Sequence, residues 1–430
     1  MRIAYITAGA AGMYCGSCLH DNTLARALIA LGHDVSLIPT YTPIRTDEED
    51  VSIDRVFYGA INVFLEQKLS IFRHTPWLFD RLLTSRRLLN WASRFRGSTN
   101  ATDLGALTLS VLQGELGYQK KELERLVEWL RDELRPEVVH LTNSMFVGMA
   151  RRIRQELGVP VICSVQGEDL FLDELIEPYR SRVMGLLHER AEDVDAFVST
   201  SEYYARHMVN YLGLDEQKMH QVNLGIDLGD LEGQAARKPD DPFVIGFLAR
   251  LCPAKGLHLT VEAFRRLADR RGPDGLRLRI AGYLEERDRT YVDELLQQVD
   301  AWGLTPYVEY VGEVDRQAKA DFLRGLHVLT VPTTYREPKG LFALEALACG
   351  VPVVQPRHGA FPEMIERTGG GLLVEPDSSE ALAAGLGELM DDPARREEMG
   401  RRGREVVRAE YNERVMADRT LEVYREQLAR

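Results

Sequence analysis

Residues 328–355 read VLTVPTTYREPKGLFALEALACGVPVVQ, and this stretch combines two short apolar runs with a helical pattern between them. We predict a strand at Val328–Val331, a polar loop at 332–336, a helix over Gly340–Ala348 and a second strand at Val351–Gln355. Both strands are apolar at almost every position, as expected of strands that are buried on both faces. The order strand, helix, strand predicts a parallel α/β fold.

The same alternation of strands and helices continues along the rest of the chain. In the second half we predict further strands at Phe243–Leu248, Leu276–Ala281, Val308–Val311 and Gly371–Val374. In the first half we predict strands at Arg2–Thr7, Asp34–Ile38, Val138–Leu141, Val159–Ser164 and Ala196–Thr200. Predicted helices between them include Leu19–Leu31, which ends before Gly32, Lys121–Leu134 and Leu257–Leu267.

The chain is long enough for two domains. It has 430 residues, which is more than one hydrophobic core usually holds. The segment Gly229–Asp241 is rich in Gly and Asp and contains a proline, a composition typical of a linker. We therefore predict an N-terminal domain at 1–235 and a C-terminal domain at 240–410, with a ligand site in the cleft between the two halves.

Composition limits the possible partners and the compartment. The net charge of −13 argues against general nucleic-acid binding, which needs a basic face. No apolar run approaches the roughly 18 residues of a membrane span, and the first residues predict a strand rather than a signal peptide. The 5 cysteines are an odd number and are mostly scattered, so we expect a cytoplasmic protein without a disulfide framework.

Segment 61–96 is a local exception in charge. It contains seven Lys and Arg residues interleaved with Phe and Trp, against one Glu and one Asp. Basic residues beside aromatic ones suit peripheral contact with an anionic membrane. They equally suit helices that pack on the domain with their arginines outward, and the sequence leaves both interpretations open.

Two glutamates lie on either side of the predicted helix start. Glu337 precedes Gly340, and Glu345 follows it by more than one helical turn. A helix start offers unpaired N–H groups to a phosphate, and Gly340 lets a ligand approach the backbone closely. The spacing disfavours a close carboxylate pair that shares a proton and favours two separate polar anchors. In isolation, two such glutamates could also be ordinary surface residues.

Two cations lie five residues apart in the predicted loop after strand Phe243–Leu248. They are Arg250 and Lys255, in the segment Gly246-Phe-Leu-Ala-Arg-Leu-Cys-Pro-Ala-Lys-Gly256. Fixed cations stabilise the charge that develops on a departing diphosphate. Taken alone, they could also be surface residues.

Both motifs resemble those of a known family. The stretch Glu337–Glu345 is similar to the E-x7-E motif of the retaining nucleotide-sugar glycosyltransferases of family 4, which include sucrose and trehalose synthases and lipid mannosyltransferases. The segment Ala249–Gly256 resembles the family's G-R-L-x-x-x-K-G pattern, with Ala249 in place of its first Gly. The resemblance covers nearly the whole chain and is strongest over residues 240–430. It implies the GT-B fold: two Rossmann-like domains whose parallel sheets face each other across a cleft, with a C-terminal helix at 411–430 that returns to the N-terminal domain.

The resemblance also implies an activity. Such enzymes transfer a hexosyl unit from a UDP-, GDP- or ADP-linked sugar to a hydroxyl acceptor, which can be a lipid, a glycan or a small molecule. They retain the anomeric configuration and need neither a bound metal nor another cofactor. The implied catalytic residues are Arg250, Lys255 and Glu337, and the implied donor-binding residues are Gly16, Arg250, Lys255, Gly340, Leu341 and Glu345. The resemblance further implies that Glu337 contacts the donor sugar and Glu345 the ribose hydroxyls of the nucleotide.

The N-terminal half departs from the family at some positions. Gly16-Ser17 stands where the family has paired glycines, and His20 follows at the start of the first helix. Gln166 replaces a histidine that in the family often contacts the donor sugar, and an amide cannot take a proton. We therefore expect His20, Gln166 and Asp169 to contact the sugar or the acceptor, with the efficiency of transfer left open. For His20, a role in capping or packing the helix fits the sequence equally well.

Two other patterns suggest different chemistry, and other functions fit the same fold. Cys15 and Cys18 could form a redox or metal pair, but small-residue packing fits them better. Asp193-Val-Asp195 resembles a metal-binding DxD motif, although it leads into a buried strand. A non-catalytic protein of the same fold that binds a glycan or a partner, or a phosphorylase or epimerase on the same scaffold, remains the alternative.

Overall fold

The computed structural model describes residues 1–9, 16–59, 101–231, 233 and 242–430. Segment 61–96, Cys15 and most of the predicted linker lie outside these residues, so membrane contact through 61–96 stays a prediction. Among the helices within these ranges, none is both long and apolar enough to cross a bilayer. The chain divides into two compact units: unit 1 comprises Met1–Gly225 and Glu413–Arg430, and unit 2 comprises Ile226–Asn412.

Unit 1 is built on a parallel sheet of six strands in the order β2-β1-β3-β4-β5-β6. The strands are β1 (Arg2–Thr7), β2 (Asp34–Pro39), β3 (Val138–Leu141), β4 (Val161–Val165), β5 (Ala196–Ser199) and β6 (Met219–Gln221). The helices are α1 (Gly16–Ala30), α2 (Ala101–Leu112), α3 (Lys120–Trp129), α4 (Ala150–Leu157), α5 (Asp169–Asp173), α6 (Tyr179–Ala191) and α7 (Glu202–Leu212). Strands β3, β4 and β5 are buried along their whole length, because helices cover both faces of the sheet.

Unit 2 has a second parallel sheet of six strands, in the order β12-β11-β10-β7-β8-β9. The strands are β7 (Phe243–Leu248), β8 (Leu276–Ala281), β9 (Val308–Gly312), β10 (Val328–Leu329), β11 (Val353–Pro356) and β12 (Gly371–Val374). The helices are α8 (Leu257–Arg271), α9 (Arg289–Ala301), α10 (Arg316–Arg324), α11 (Leu341–Ala348), α12 (Phe361–Thr368), α13 (Ser379–Asp391) and α14 (Pro393–Glu410).

The last helix, α15 (Glu413–Leu428), belongs to unit 1 although it follows unit 2 in the chain. It packs against α1, and its buried side chains include Met416, Leu421 and Tyr424. The Tyr424 hydroxyl lies 2.6 Å from Nδ1 of His140 on β3. This return of the C-terminal helix agrees with the expected fold.

Five of the predicted strands match the structure at both ends, and the differences elsewhere have local causes. Strand β11 begins two residues later than predicted, because the Val351 N–H donates to Ala346 O and closes the preceding helix. Helix α3 ends at Trp129, and the predicted final turn is π-helical over Leu130–Leu134. The edge strand β6 was not predicted, since Met-His-Gln carries no apolar run.

Candidate functional site

Two loops of unit 2 leave the same edge of its sheet. Strands β7 and β10 are parallel neighbours, so loop 249–256 after β7 and loop 330–340 after β10 lie side by side. The Thr334 N–H donates to Ala254 O at 3.0 Å. Gly256 has a φ of +76°, and a Cβ atom there would lie only 1.9 Å from Pro332 O. A glycine is required for the loops to come this close.

The contact between these loops contains a buried ion pair. Nζ of Lys255, from the first loop, lies 2.8 Å from Oε2 of Glu337, from the second. The same ammonium donates to the Tyr335 hydroxyl at 2.5 Å, and that hydroxyl donates to Oε2 of Glu337 at 2.6 Å. Lys255 also lies over the rings of Tyr335 and Phe342, at 5.1 and 5.3 Å from their centroids. Lys255, Tyr335 and Glu337 therefore form a closed triangle of hydrogen bonds.

The carboxylate of Glu337 is held in its ionised form. Burial alone would raise its pKa, but Lys255, the Tyr335 hydroxyl and the Gly340 N–H favour the charged form and bring the pKa to about 2, from an ordinary value of 4.5. Oε1 accepts from the N–H groups of Lys339 and Gly340, at 3.3 and 3.4 Å. Both oxygens of Glu337 are thus engaged by donors of the same unit.

Glu337 also lies directly before the start of helix α11. Gly340 precedes this helix with a φ of +71°, a left-handed conformation that favours glycine. On its other side, Glu337 is backed by Gly359, where a Cβ atom would lie 2.4 Å from Glu337 O. The cation of Lys255 and the start of α11 therefore meet at Glu337, an arrangement suited to binding an anion.

Glu345, on α11, has a separate partner. Its Oε1 lies 2.7 Å from Nζ of Lys319, which is carried by α10. Both side chains are largely buried, with exposed fractions of 9% for Glu345 and 13% for Lys319. The structure thus gives each glutamate its own lysine, from a different element of unit 2.

Arg250 is an exposed cation of the two-loop region. Its side chain is 41% exposed, and its guanidinium lies 3.7 Å from Oε1 of Glu285. Glu285 pairs more closely with Arg287, at 2.7 Å. At this distance the Glu285 carboxylate pairs with Arg250 only loosely.

Unit 1 contains a second polar cluster, centred on Asp21 of α1. This fully buried carboxylate accepts from the hydroxyls of Tyr5 at 2.9 Å, Thr7 at 2.6 Å and Thr142 at 2.6 Å. It also accepts from Nε2 of Gln166 at 2.9 Å. These residues lie on or just after β1, β3 and β4, which are neighbouring strands. The cluster therefore marks the carboxyl edge of the sheet of unit 1.

Gln166 and Asp169 are held at this edge by further contacts. Nε2 of Gln166 also donates to Thr142 O at 2.9 Å, and the Gln166 N–H donates to Glu168 at 2.6 Å. Asp169 accepts from the Tyr204 hydroxyl at 2.6 Å, and its other oxygen lies 3.0 Å from Nε2 of His207. The amide of Gln166 thus has a fixed orientation, with its NH₂ group directed at Asp21 and Thr142.

Comparison with known protein families shows which family the chain belongs to. A model of the family described as glycosyl transferases group 1 matches residues 231–406, and a model of a glycosyl transferase 4-like domain matches residues 22–225. The chain is a GT4-type group 1 glycosyltransferase.

Two curated relatives align with most of this glycosyltransferase. It is 28% identical over 338 residues to the D-inositol 3-phosphate glycosyltransferase of Kribbella flavida, covering 72% of this chain and 78% of that protein. It is 25% identical over 416 residues to the glycogen synthase of Mycobacterium tuberculosis, covering 94% of this chain and 89% of that protein.

Solved structures confirm the two-domain α/β GT-B fold. The sucrose-phosphate synthase of Thermosynechococcus elongatus aligns with a TM-score of 0.72 at 19% identity, over 99% of each chain. Anabaena HepE, in a complex with UDP, aligns with a TM-score of 0.70 at 16% identity, over 99% of this chain and 100% of that one.

Most of the residues that the sequence predicts to bind the donor lie close together in unit 2 of this glycosyltransferase. Lys255, Glu337 and Gly340 are in direct or shared contact, while Leu341 and Glu345 lie on the helix that follows. Arg250 lies on the same loop as Lys255. Gly16 belongs to unit 1 and is the first residue of α1, directly after residues outside the described ranges.

The side chain of His20 packs inside unit 1. It is 5% exposed, and its Nδ1 lies 3.2 Å from Oδ1 of Asp21. Of the two uses the sequence allowed for His20, the structure shows the packed one. Cys18 is also buried.

The DxD-like segment of the glycosyltransferase takes part in ion pairs. Asp193 accepts from Arg151 at 3.0 Å, and Asp195 accepts from the Val161 N–H at 2.8 Å and pairs with Arg154 at 3.2 Å. These contacts connect α4 and β4 to the segment before β5, so Asp193 and Asp195 have a structural role.

Sequence reasoning missed three residues that shape these clusters: Tyr335, Lys319 and Asp21. Tyr335 lies two positions before Glu337, a spacing that places side chains on one side of an extended segment, so a signal was present. Lys319 and Asp21 carried no local signal, because their partners are distant in sequence.

Proposed function

We propose that this glycosyltransferase transfers a hexosyl unit from a nucleoside-diphosphate sugar to a hydroxyl acceptor, with retention of anomeric configuration and without a bound metal. The observation that carries the proposal is the buried Lys255–Glu337 pair beside the start of α11. This arrangement holds a cation at a fixed place, next to a helix end that favours anions.

The cations of unit 2 would stabilise the departing nucleoside diphosphate. When the bond between the anomeric carbon and the phosphate oxygen breaks, negative charge grows on the diphosphate. Lys255 is already oriented by Tyr335 and Glu337, so no reorganisation is required during the reaction. Arg250 would add a second, more exposed cation. Together they supply the positive charge that a metal ion provides in other transferases.

Glu337 would act mainly through its neighbours. A carboxylate has about four acceptor positions, and Glu337 has four donors within its own unit: Lys255, Tyr335 and the N–H groups of Lys339 and Gly340. A direct contact with the donor sugar would have to replace one of the two longer amide contacts. We therefore infer that Glu337 orients Lys255 and the loop before α11. It would contact the donor sugar only if a sugar hydroxyl replaced one of the two amide donors.

The acceptor would be recognised at the carboxyl edge of the unit 1 sheet, where Gln166 and Asp169 lie. The names of two relatives support a polyhydroxylated acceptor: one is an inositol 3-phosphate glycosyltransferase and the other a glycogen synthase. HepE was solved with UDP and with UDP-glucose, which makes uracil the first donor base to test.

The reaction step conserves atoms and charge. The acceptor oxygen attacks the anomeric carbon from the face that the diphosphate leaves, a C–O bond forms, and the bond to the phosphate oxygen breaks. The leaving phosphate oxygen takes the acceptor proton. This route needs no covalent enzyme intermediate, so no nucleophilic side chain is required.

The test is a product analysis. The purified chain is incubated with UDP-, GDP- or ADP-glucose and either an inositol phosphate or a maltooligosaccharide, with and without EDTA. We expect release of the nucleoside diphosphate from one donor, an α-linked product by NMR and no effect of EDTA. A β-linked product would contradict retention, and loss of activity with EDTA would contradict metal independence.

Arg250→Ala is the variant that is compared with the wild type in this test. Because Arg250 is exposed and only loosely paired, the fold should not change while transfer falls sharply. Turnover near that of the wild type would remove Arg250 from the mechanism. Cleavage that depends on inorganic phosphate instead of releasing a nucleotide would favour a phosphorylase.

A further inference from the structure

Helix α7 of unit 1 carries an aromatic row, formed by Tyr203, His207 and Tyr211. These half-buried residues are spaced four positions apart, so their side chains lie on one face of the helix. The centroids of the first two rings are 6.2 Å apart, and their planes differ by only 8°. The Tyr211 centroid lies 5.6 Å from that of His207, with 33° between the planes. Because an α-helix rises by about 1.5 Å per residue, the row is about 12 Å long, which is longer than a single sugar ring.

Carboxylates of α5 lie along the aromatic row. Oδ2 of Asp169 lies 3.0 Å from Nε2 of His207, and the Tyr211 hydroxyl donates to Oδ1 of Asp173 at 3.2 Å. The Arg180 guanidinium donates to the same Oδ1 at 2.9 Å. The Asp173 side chain is 50% exposed, and no donor among the residues that the structure describes contacts its Oδ2. The row is therefore accompanied by a carboxylate oxygen that can accept from a ligand hydroxyl.

The aromatic row begins at the carboxyl edge of the unit 1 sheet. Helix α7 starts shortly after β5 ends, so its first turn, with Tyr203, lies at this edge, and the other two rings follow on successive turns. The Tyr204 hydroxyl donates to Asp169 at 2.6 Å and accepts from the Gly167 N–H at 2.9 Å. This buried tyrosine joins α7 to the segment that follows Gln166. The row is therefore continuous with the edge at which the acceptor is proposed to bind.

The local charge restricts the kind of ligand. Residues 167–179 contain five acidic side chains and no Lys or Arg. Such a segment repels phosphorylated acceptors and anionic lipid headgroups. A neutral pyranose has a face of C–H groups, which can be buried against an aromatic ring, and a rim of hydroxyls, which can donate to carboxylates. Rings beside carboxylates therefore favour a neutral sugar.

We propose that the aromatic row binds a neutral oligosaccharide, and that it holds those sugars of the acceptor that lie beyond the one receiving the hexosyl unit. This inference rests on the proposed function, because it extends the acceptor site at the same edge, and it selects a glycan over an inositol phosphate. The C–H faces of the sugars pack on Tyr203 and Tyr211, and a sugar hydroxyl donates to Oδ2 of Asp173. The contacts between α5 and α7 already hold these side chains, so little of their conformational freedom is lost on binding.

The test measures oligosaccharide binding to the full chain without a sugar donor. Calorimetry follows maltoheptaose, cellohexaose and mannohexaose as neutral probes, the corresponding monosaccharides, and D-inositol 3-phosphate as the anionic probe. We expect one of the three oligosaccharides to bind at least about tenfold more tightly than its monosaccharide, because only the longer ligand reaches along the row. The same preparation is titrated with UDP, GDP and ADP, which tests the donor site separately.

Variants of the aromatic row locate the binding. Tyr203→Ala and Tyr211→Ala should each weaken oligosaccharide binding by about tenfold, since each removes an aromatic face. Tyr211→Phe keeps the ring and should bind within about threefold of the wild type. Tyr118→Ala removes another exposed tyrosine of unit 1, outside the row, and is the matched control that should keep the wild-type affinity. If Tyr211→Ala does not fold, Tyr211→Leu takes its place.

The outcomes separate this inference from the proposed function. A wild type that binds a nucleotide but none of the three oligosaccharides would overturn the inference and leave the proposed transfer intact. Oligosaccharide binding that is lost in the row variants, without binding of any nucleotide, would support the surface and contradict the proposed transfer. Equal affinities in the wild type, Tyr203→Ala and Tyr211→Ala would show that the rings only pack α7 against α5. Binding of D-inositol 3-phosphate that is lost in Tyr211→Ala would overturn the choice of a neutral ligand.

Discussion

Nζ of Lys255 lies 2.8 Å from Oε2 of Glu337, although 82 positions separate the two residues in the chain. The pair joins the loop after β7 to the loop after β10, and the Tyr335 hydroxyl bridges its two members. The proposed transfer depends on this pair, because Lys255 supplies the fixed cation beside the departing diphosphate.

Removing the cation of Lys255 should slow transfer and lower stability, and the two effects should be separable. Lys255→Met should lower the rate of transfer by about a hundredfold to a thousandfold. It should also lower the free energy of unfolding by about 3 kcal/mol, because the Glu337 carboxylate stays buried without its cation. In the double variant Lys255→Met/Glu337→Gln, most of the stability should return while transfer stays lost. Chemical denaturation and a nucleotide-release assay on the three chains decide this, and transfer near the wild-type rate in the double variant would refute the role of Lys255.

Tyr335→Phe should raise the pKa of Glu337 from its value of about 2, since the carboxylate loses one donor. A folded-state pKa below the unfolded value of 4.5 adds stability above that pH, and this stability is lost as the pH falls toward 2. The variant should therefore be less stable than the wild type by about 1.5 kcal/mol at neutral pH. The gap should narrow as the pH falls toward 2, where Glu337 becomes protonated in both chains. Denaturation curves between pH 7 and about pH 2 measure the gap, and a constant gap would mean that the hydroxyl does not act through Glu337.

His140 should make unit 1 sensitive to mild acid. Burial lowers the pKa of this imidazole from 6.5 to about 3, and its two nitrogens contact Tyr424 at 2.6 Å and Ser164 at 2.8 Å. The folded state then binds fewer protons than the unfolded state between these pH values, so this contribution is complete above pH 6.5 and declines as the pH falls. The loss should reach about 2 kcal/mol at pH 5. His140→Gln should flatten this dependence, and parallel curves for the two chains would contradict the assignment.

Gly359 should be needed to keep Glu337 in place. Its φ is +60°, and a Cβ atom would lie 2.4 Å from Glu337 O. Gly303 has a similar φ of +68° but open space around the Cβ position, so it is a matched control within the same unit. Gly303→Ala should cost about 1 kcal/mol from backbone strain alone. Gly359→Ala should cost more and should also slow transfer. Equal losses of stability in the two variants, with normal transfer, would argue against a supporting role for Gly359.

Much of the fold could be predicted from the sequence. Parallel strands buried on both faces leave continuous apolar runs, and for this reason β1, β3, β7, β8 and β12 were located well. Short or polar strands such as β6 leave no such run. The spacing of Glu337 and Glu345 also argued correctly against a shared proton, since each has its own lysine.

The partners of the candidate site residues were harder to predict. Lys319 lies 26 positions from Glu345, on a helix whose charged residues look like an ordinary solvated face. Asp21 lies 145 positions from Gln166. Contacts of this kind depend on which strands become neighbours in the sheet, and a single sequence does not show strand order.

The most direct test of the central claim is calorimetric binding of UDP, GDP and ADP to the wild type and to Glu345→Ala. We predict that one of the three binds the wild type at micromolar strength and that Glu345→Ala loses this binding while remaining folded. Absence of binding by all three nucleotides would contradict the claim that unit 2 holds the donor of a nucleotide-sugar transferase.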